Sequence, residues 1–191
     1  MEENNHDRLI NVAIKVMVEI GYHGMSIGML AKMVGVSKST VAYYFKSKEG
    51  ILLAVLDNFL PVYLAKFMPI LYDNKLSGIE KLHRYLSFHM NMVADKKDVL
   101  FINLSYSKFL TGRNKETYKG LQLQFEQQLV KIIRQIQCEN TVLFNDMDPS
   151  VTAKAIMGMC NHACVWYKKD GPISIEDVAT HFFNLLTKGY P

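Results

Sequence analysis

The chain has 191 residues, 49% of them hydrophobic, with a formal net charge of +4. That is enough apolar material for one domain or two small ones with a true core, and it excludes a disordered chain. The mild charge fits a local basic face and excludes a globally basic nucleic-acid coat.

The opening MEENNHDR is polar and partly acidic, so it does not read as a signal peptide. The apolar run Ala155 to Tyr167 is shorter than the roughly 18 residues a membrane span needs. Cys138, Cys160 and Cys164 are a sparse, odd set, which points to free thiols and a reducing compartment. The expected location is the cytoplasm, with no membrane partner.

Taken in order, nearly every segment has helical periodicity. Ile10, Ala13, Ile14, Met17 and Ile20 step by three and four over 7–20, and Gly21 ends that helix. The stretch Ser26 to Lys48 holds Lys32, Lys38, Lys46 and Lys48 and no acid. Ser26 caps a short helix with Ile27, Leu30, Ala31 and Val34 on one stripe, and Gly35 stops it. Ser37 caps the next, where Val36, Val41 and Phe45 point inward and Lys38, Ser39, Thr40 and Tyr43 outward. A short helix, a tight turn and a second helix with a polar, basic outer face form a helix-turn-helix at about 27–46, the unit that seats its second helix in the DNA major groove.

Ser47 caps a fourth helix with Ile51, Leu52, Val55, Leu56 and Phe59 buried. Pro61 bends it, and it is expected to run to about Phe67, with Pro69 as a firmer stop. Tyr72 to Gly78 is a loop. Helices follow at 79–94, at 99–110 with Asp98 as cap and Gly112 as stop, and at 115–137. Asn140 to Asp146 is a loop. Asp148–Pro149 starts a helix reaching about Lys168. Ser174 and Asp177 form a capping box for the last, and Gly189 follows it. The expectation is an all-α chain of about nine helices.

On these residues the sequence resembles the TetR family of bacterial transcriptional regulators. The likeness is carried by Gly21-Tyr22-x-Gly24-Met25-Ser26-Ile27, Leu30-Ala31, Gly35 to Val41 and Tyr44-Phe45-x-Ser47-Lys48-Glu49, roughly the first third of the chain. It implies a DNA-binding domain over 1–48 and a helical effector-binding and dimerisation domain over 49–191. It also implies a homodimeric repressor, released from a pseudo-palindromic operator in double-stranded DNA by a small, partly hydrophobic effector. The family usually has Tyr where this chain has Ala42. Tyr43 is no simple replacement, because one residue turns a helical side chain by about 100°.

Phosphate contacts set position, and base-edge contacts set sequence choice. Lys48, Lys46 and Ser37 are the expected phosphate partners, Ser26 belongs to the DNA-binding set, and Tyr44 matches a backbone-contacting family position. Lys38, Ser39, Thr40 and Tyr43 are the expected base readers, Lys toward guanine and the Thr40 methyl toward thymine. The family pairs its last two helices across the dimer, which assigns Ala155, Gly158, Met159, Ala163, Val178, Phe182, Leu185 and Leu186 to that contact.

The Met- and aromatic-rich middle suits an adaptable apolar pocket or a plain core. Met90, Phe101, Tyr106, Phe125 and Met157 are its expected walls, with His89, Asn161, His162 and Trp166 as polar handles. Two alternatives stand beside this reading. One is a helical small-molecule-binding protein with weak or non-specific DNA binding, in keeping with Ala42. The other is a metal or thiol sensor using Cys160 and Cys164, which share a face at i, i+4 while His162 points away. No phosphate loop, nucleophile elbow or HExxH motif is present, so neither an enzyme nor a cofactor is expected.

Overall fold

A computed structural model describes residues 4–139 and 142–188. Among the described residues there are nine α-helices and no strand. They are α1 Asn5–Gly24, α2 Ile27–Val34, α3 Lys38–Phe45, α4 Lys48–Asp57, α5 Leu60–Leu71, α6 Gly78–Tyr106, α7 Gly112–Cys138, α8 Pro149–Trp166 and α9 Ile175–Lys188. A single 3-10 turn, Ser107–Phe109, follows α6. The expected stop at Gly189, and Asn140 and Thr141 of the expected loop, lie outside the described residues.

The helix starts are set by short polar side chains that accept otherwise unpartnered backbone N–H groups. Ser26 Oγ accepts from Met29 N at 3.2 Å, Ser37 Oγ from Thr40 N at 3.0 Å and Ser47 Oγ from Gly50 N at 3.0 Å. Asp148 accepts from Ser150 N and Val151 N, both at 2.9 Å. The capping box of α9 is made, with Asp177 N donating to Ser174 Oγ at 3.0 Å. A second box that the sequence reading passed over opens α6: Ser77 N donates to the Glu80 carboxylate at 2.8 Å, and Glu80 N returns a bond to Ser77 Oγ.

The middle helices divide differently from expectation. The fourth helix does not run through Pro61 to Phe67. It ends at Asp57, the chain turns at Asn58–Phe59, and Pro61 falls in the first turn of α5, where a missing N–H costs nothing. Asn58 Nδ2 donates to the Ala54 carbonyl at 3.2 Å, covering one acceptor at the break. Pro69 does not stop α5 but sits in its last turn. The helices expected at 79–94 and 99–110 are one element, α6, with a kink at Lys96 (φ −133°, ψ 33°) in place of a capped break at Asp98. Lys48–Leu71 is apolar and long enough for a membrane span, but the turn at Asn58–Phe59 interrupts it and half of its most apolar window is buried in the protein.

Packing divides the chain into two compact units. The first runs to Pro61 and takes in Asp98–Lys119; the second comprises Val62–Lys97 and the chain from Gly120 onward. The first unit extends past Lys48, because Ile51, Leu52, Val55 and Leu56 of α4 are buried and α4 packs on α1 and α3. The second has its own apolar centre, where Phe67, Leu82, Tyr85, Leu86, Leu129, Ile132 and Ile136 have no exposed surface.

Candidate functional site

The helix-turn-helix lies in the first unit. Leu30, Ala31 and Val34 anchor α2, and Val41 and Phe45 anchor α3. Between them Gly35 is left-handed (φ 78°), and its N–H and that of Val36 both close on the Ala31 carbonyl, at 3.0 and 2.9 Å. A side chain would oppose that conformation, so glycine sets the angle of the turn. The corner after α3 is tighter still. A Cβ on Gly50 would overlap the Phe45 carbonyl oxygen, so only glycine lets the first turn of α4 close over the end of α3.

This scaffold leaves one face of α3 free. Lys38, Ser39 and Ala42 are exposed, and Tyr43 is 81% exposed. Its ring meets Tyr44 edge-on, with centroids 5.4 Å apart, so two tyrosines stand together at this surface. At the N-terminus of α3 the hydroxyls of Ser37, Ser39 and Thr40 gather, with Ser37 Oγ 2.7 Å from Ser39 Oγ and 2.8 Å from Thr40 Oγ1. Hydroxyls at the positive end of a helix suit an anion. Thr40 is half-buried, so less of it is available than of Ser39. Ser26 is exposed at the start of α2, and Lys46 is exposed as the C-cap of α3.

Tyr44 is both packed and accessible. It is 36% exposed and meets His6 edge-on, with ring centroids 5.6 Å apart. His6 also stacks on Phe45 at 5.1 Å, so the first turn of α1 braces the end of α3. Lys48 is more constrained than a free surface cation. Its Nζ donates to the His23 carbonyl at 2.9 Å and lies 4.8 Å from the centre of the Tyr22 ring. An ammonium has three hydrogens, so this leaves two for another acceptor. The alkyl stem of Lys38 runs across Gly28, where a Cβ would lie 2.9 Å from its Cε.

Glu49 had no role in the sequence reading, although it closes the matched Ser47-Lys48-Glu49 run. Its carboxylate accepts from Thr111 N at 3.0 Å, Thr111 Oγ1 at 2.8 Å and Asn114 Nδ2 at 3.1 Å. The Thr111 backbone bond first, then the Thr111 hydroxyl and Asn114, hold the Glu49 carboxyl below its usual range. An acid just after a cap signals a helix start, but nothing local in sequence signals a partner 62 residues away. Tyr106 adds to the same clasp, donating to the Met17 carbonyl at 3.3 Å and lying beside Tyr22 and Phe109.

That contact corrects one expectation. Phe101 and Tyr106 belong to the first unit, where they pack against each other, and not to the interior around His89. The second unit brings together His89, Met90 and Phe125, all buried, with Asn161 half-buried. His89 Nε2 is 3.0 Å from Asn161 Oδ1 and Nδ1 is 3.3 Å from the Tyr85 hydroxyl. Burial pulls the His89 imidazole down to about 4, only partly opposed by Asn161, so it is neutral near pH 7. Nε2–H then donates to Asn161 while Nδ1 accepts from Tyr85. Met157 is half-buried.

His162 and Trp166 are exposed and do not point into this interior. They fall on an outer stripe of α8 with Val151, Ala155, Gly158 and Val165, stepping by three and four residues. The opposite side of α8, including Cys160, Ala163 and Cys164, is buried. Ala163 and Val178 therefore pack inside their own chain and leave the expected dimer set, whereas Ala155, Gly158 and Leu185 are exposed. A groove of about 600 Å³ lies along this stripe, lined by Phe144, Met147, Val151, Met159 and Leu185 among others. Burial pushes the Cys160 thiol up to about 12 and raises that of Cys164. Among the described residues no group of three His, Cys, Asp or Glu side chains could hold a metal ion.

Comparison with known proteins agrees with this geometry. Residues 75–190 match the family described as tetracyclin repressor-like, C-terminal domain, and residues 9–55 match bacterial regulatory proteins, tetR family. The fatty acid metabolism regulator protein of Bacillus subtilis is 27% identical over 95 residues, which are 50% of this chain and 48% of that one; the chain thus matches about half that relative's length. The TetR-family transcriptional regulator PfmR of Thermus thermophilus superposes with a TM-score of 0.85 at 28% identity, over 97% of this chain and 100% of the other. AibR, solved with isovaleryl coenzyme A and operator DNA, has a TM-score of 0.85 at 19% identity over 98% and 100%, a likeness of fold. With a matched helix-turn-helix at one end and a matched helical domain covering most of the rest, the chain belongs to the TetR family of bacterial regulatory proteins.

Proposed function

We propose that the chain is a sequence-specific transcriptional regulator, a dimeric repressor that a small, partly hydrophobic effector releases from a pseudo-palindromic operator. One observation carries this reading: α3 is locked from behind by Val41 and Phe45 while Lys38, Ser39 and Tyr43 stand free on its outer face. Segment 1–48 of the first unit supplies the DNA reader, and the second unit supplies the effector and dimer functions. Lys38, Ser39, Thr40 and Tyr43 read bases; Ser26, Ser37, Tyr44, Lys46 and Lys48 hold the backbone. The protein acts in the cytoplasm and is not an enzyme.

One such unit reads only a few base pairs, so a second copy is needed at a half-site one helical turn or a multiple of it away. The outer stripe of α8 and Leu185 of α9 supply the surface for it. Val151, Val165, Trp166 and Leu185 there are large apolar groups in open water, as at an unformed oligomer contact. The effector enters the second unit near His89, Phe125 and Asn161. A relative named for fatty acid metabolism and a structural neighbour holding an acyl-coenzyme A support an acylated effector. For such a ligand to act it must prefer the unit's DNA-free state.

The test is to incubate the full chain with a random duplex library and sequence what it retains. Enrichment of an inverted repeat supports the reading, and retention without enrichment contradicts sequence-specific control. Light scattering on the same sample should give a dimer, and Val165→Asp should return it to monomer.

A further inference from the structure

Gln128 differs from the other buried polar groups of the second unit. It lies on α7 with 4% of its surface exposed, and its Nε2 donates to Met68 Sδ of α5 at 3.1 Å. A thioether has no hydrogen to give, so the amide nitrogen is the atom that faces it. That leaves Gln128 Oε1 on the other side, buried and with no hydrogen-bond partner. The other buried groups have partners. His89 bridges Tyr85 and Asn161, and Lys81, the one buried cation among the described residues, donates to Gln135 Oε1 at 2.9 Å.

Gln128 belongs to the same interior as His89. Phe125, one turn earlier on α7, has its ring 5.9 Å from His89 and 6.2 Å from Tyr85. Phe67, next to Met68, lies 5.3 Å from Tyr85. A buried acceptor left without a donor is strongly unfavourable. Among the described residues no group donates to Gln128 Oε1, so a donor inserted between α5 and α7 gains that bond. A charged group would gain nothing there. His89 is neutral, and a carboxylate at Gln128 Oε1 would face another acceptor.

We propose that the buried part of the effector is an uncharged apolar group that enters between α5 and α7 and donates one N–H or O–H to Gln128 Oε1. This rests on the second unit being the effector-binding one. It narrows the ligand class to amides, alcohols and similar neutral donors, and it excludes a free fatty acid held by its carboxylate at Gln128 Oε1.

Three probes decide it by calorimetric titration of the full chain: N-methyldecanamide with one N–H, N,N-dimethyldecanamide with none, and decanoate. The N-methyl amide should bind about tenfold tighter than the dimethyl amide, the worth of one hydrogen bond, and decanoate should bind weakest. In Gln128→Leu the two amides should bind alike. If the unaltered chain binds both amides equally, Gln128 is not the reader, while the second unit remains an apolar ligand site. If decanoate binds tightest, the neutral-donor class is wrong. Failure of all three to bind contradicts the effector site itself, and the proposal with it. The amide pair on the unaltered chain decides the matter even where Gln128→Leu does not fold.

Discussion

The two units use polar side chains in opposite ways. In the first, hydroxyls and cations are spent at helix ends and on the surface. Ser26, Ser37 and Ser47 cap, and Lys38, Ser39 and Tyr43 face solvent. In the second, polar groups are drawn inside and paired across helices, as with His89, Tyr85 and Asn161, or left with an atom unmatched, as with Gln128. A DNA-reading surface has to be rigid and wet, since its partner is a charged, hydrated duplex. An effector site has to be dry and slightly unsatisfied, since its ligand must displace what is already there.

This contrast is broken most severely at the α3–α4 corner. Gly50→Val should cost about 4 kcal/mol or more and unfold the first unit, because the new side chain meets backbone that cannot move aside. Urea denaturation followed by circular dichroism reads it. A wild-type midpoint would show that the corner relaxes.

The dryness of the second unit has a pH signature. Folded His89 binds a proton only near pH 4, whereas an unfolded histidine does so near 6.5. Between those values the unfolded chain holds more protons, so stability is full above about 6.5 and falls as pH drops toward 4, by roughly 3 kcal/mol in all. His89→Gln should flatten that stretch of the melting-temperature profile. An unchanged profile would mean that His89 is hydrated.

Smaller effects sharpen the picture of the reading unit. Glu49→Gln should lower stability by less than about 1 kcal/mol, since its three bonds are largely solvent-exposed. The loss should vanish at acid pH: the depressed carboxyl gives its stabilisation above the ordinary carboxylate range and loses it as pH falls below. A loss that persists in acid would assign Glu49 a role other than its charge. Lys48→Ala should weaken binding to specific and random duplexes alike and flatten the salt dependence by about one unit. If the slope holds, the bond to the His23 carbonyl uses Lys48 fully and it leaves the phosphate set.

The helix-turn-helix of the first unit is legible in sequence because its signals are local. A serine three residues before the N–H it caps, a glycine at a left-handed position and an i, i+3, i+4 stripe each act within one turn of chain. The second unit was legible as helices but not as a site. His89 was singled out, yet its partner lies 72 residues on, and Gln128 looks in sequence like any solvated residue of a long helix. Phe101 and Tyr106 are misplaced in sequence because composition groups them with the Met- and aromatic-rich middle. A kink at Lys96 sends the two ends of α6 to different units, and no proline or glycine marks it. Trp166 and His162 read as pocket handles in sequence because composition does not tell the inner side of an apolar helix from the outer.

The central claim is that α3 reads DNA sequence through its free face, with Tyr43 its most exposed member. Selecting sites from a random duplex library with the unaltered chain and with Tyr43→Ala in parallel tests it most directly. The account predicts one inverted repeat with the same half-site spacing for both, and relaxed base preference at particular half-site positions in the variant. Identical preferences at every position, or no enriched sequence for the unaltered chain, would contradict it.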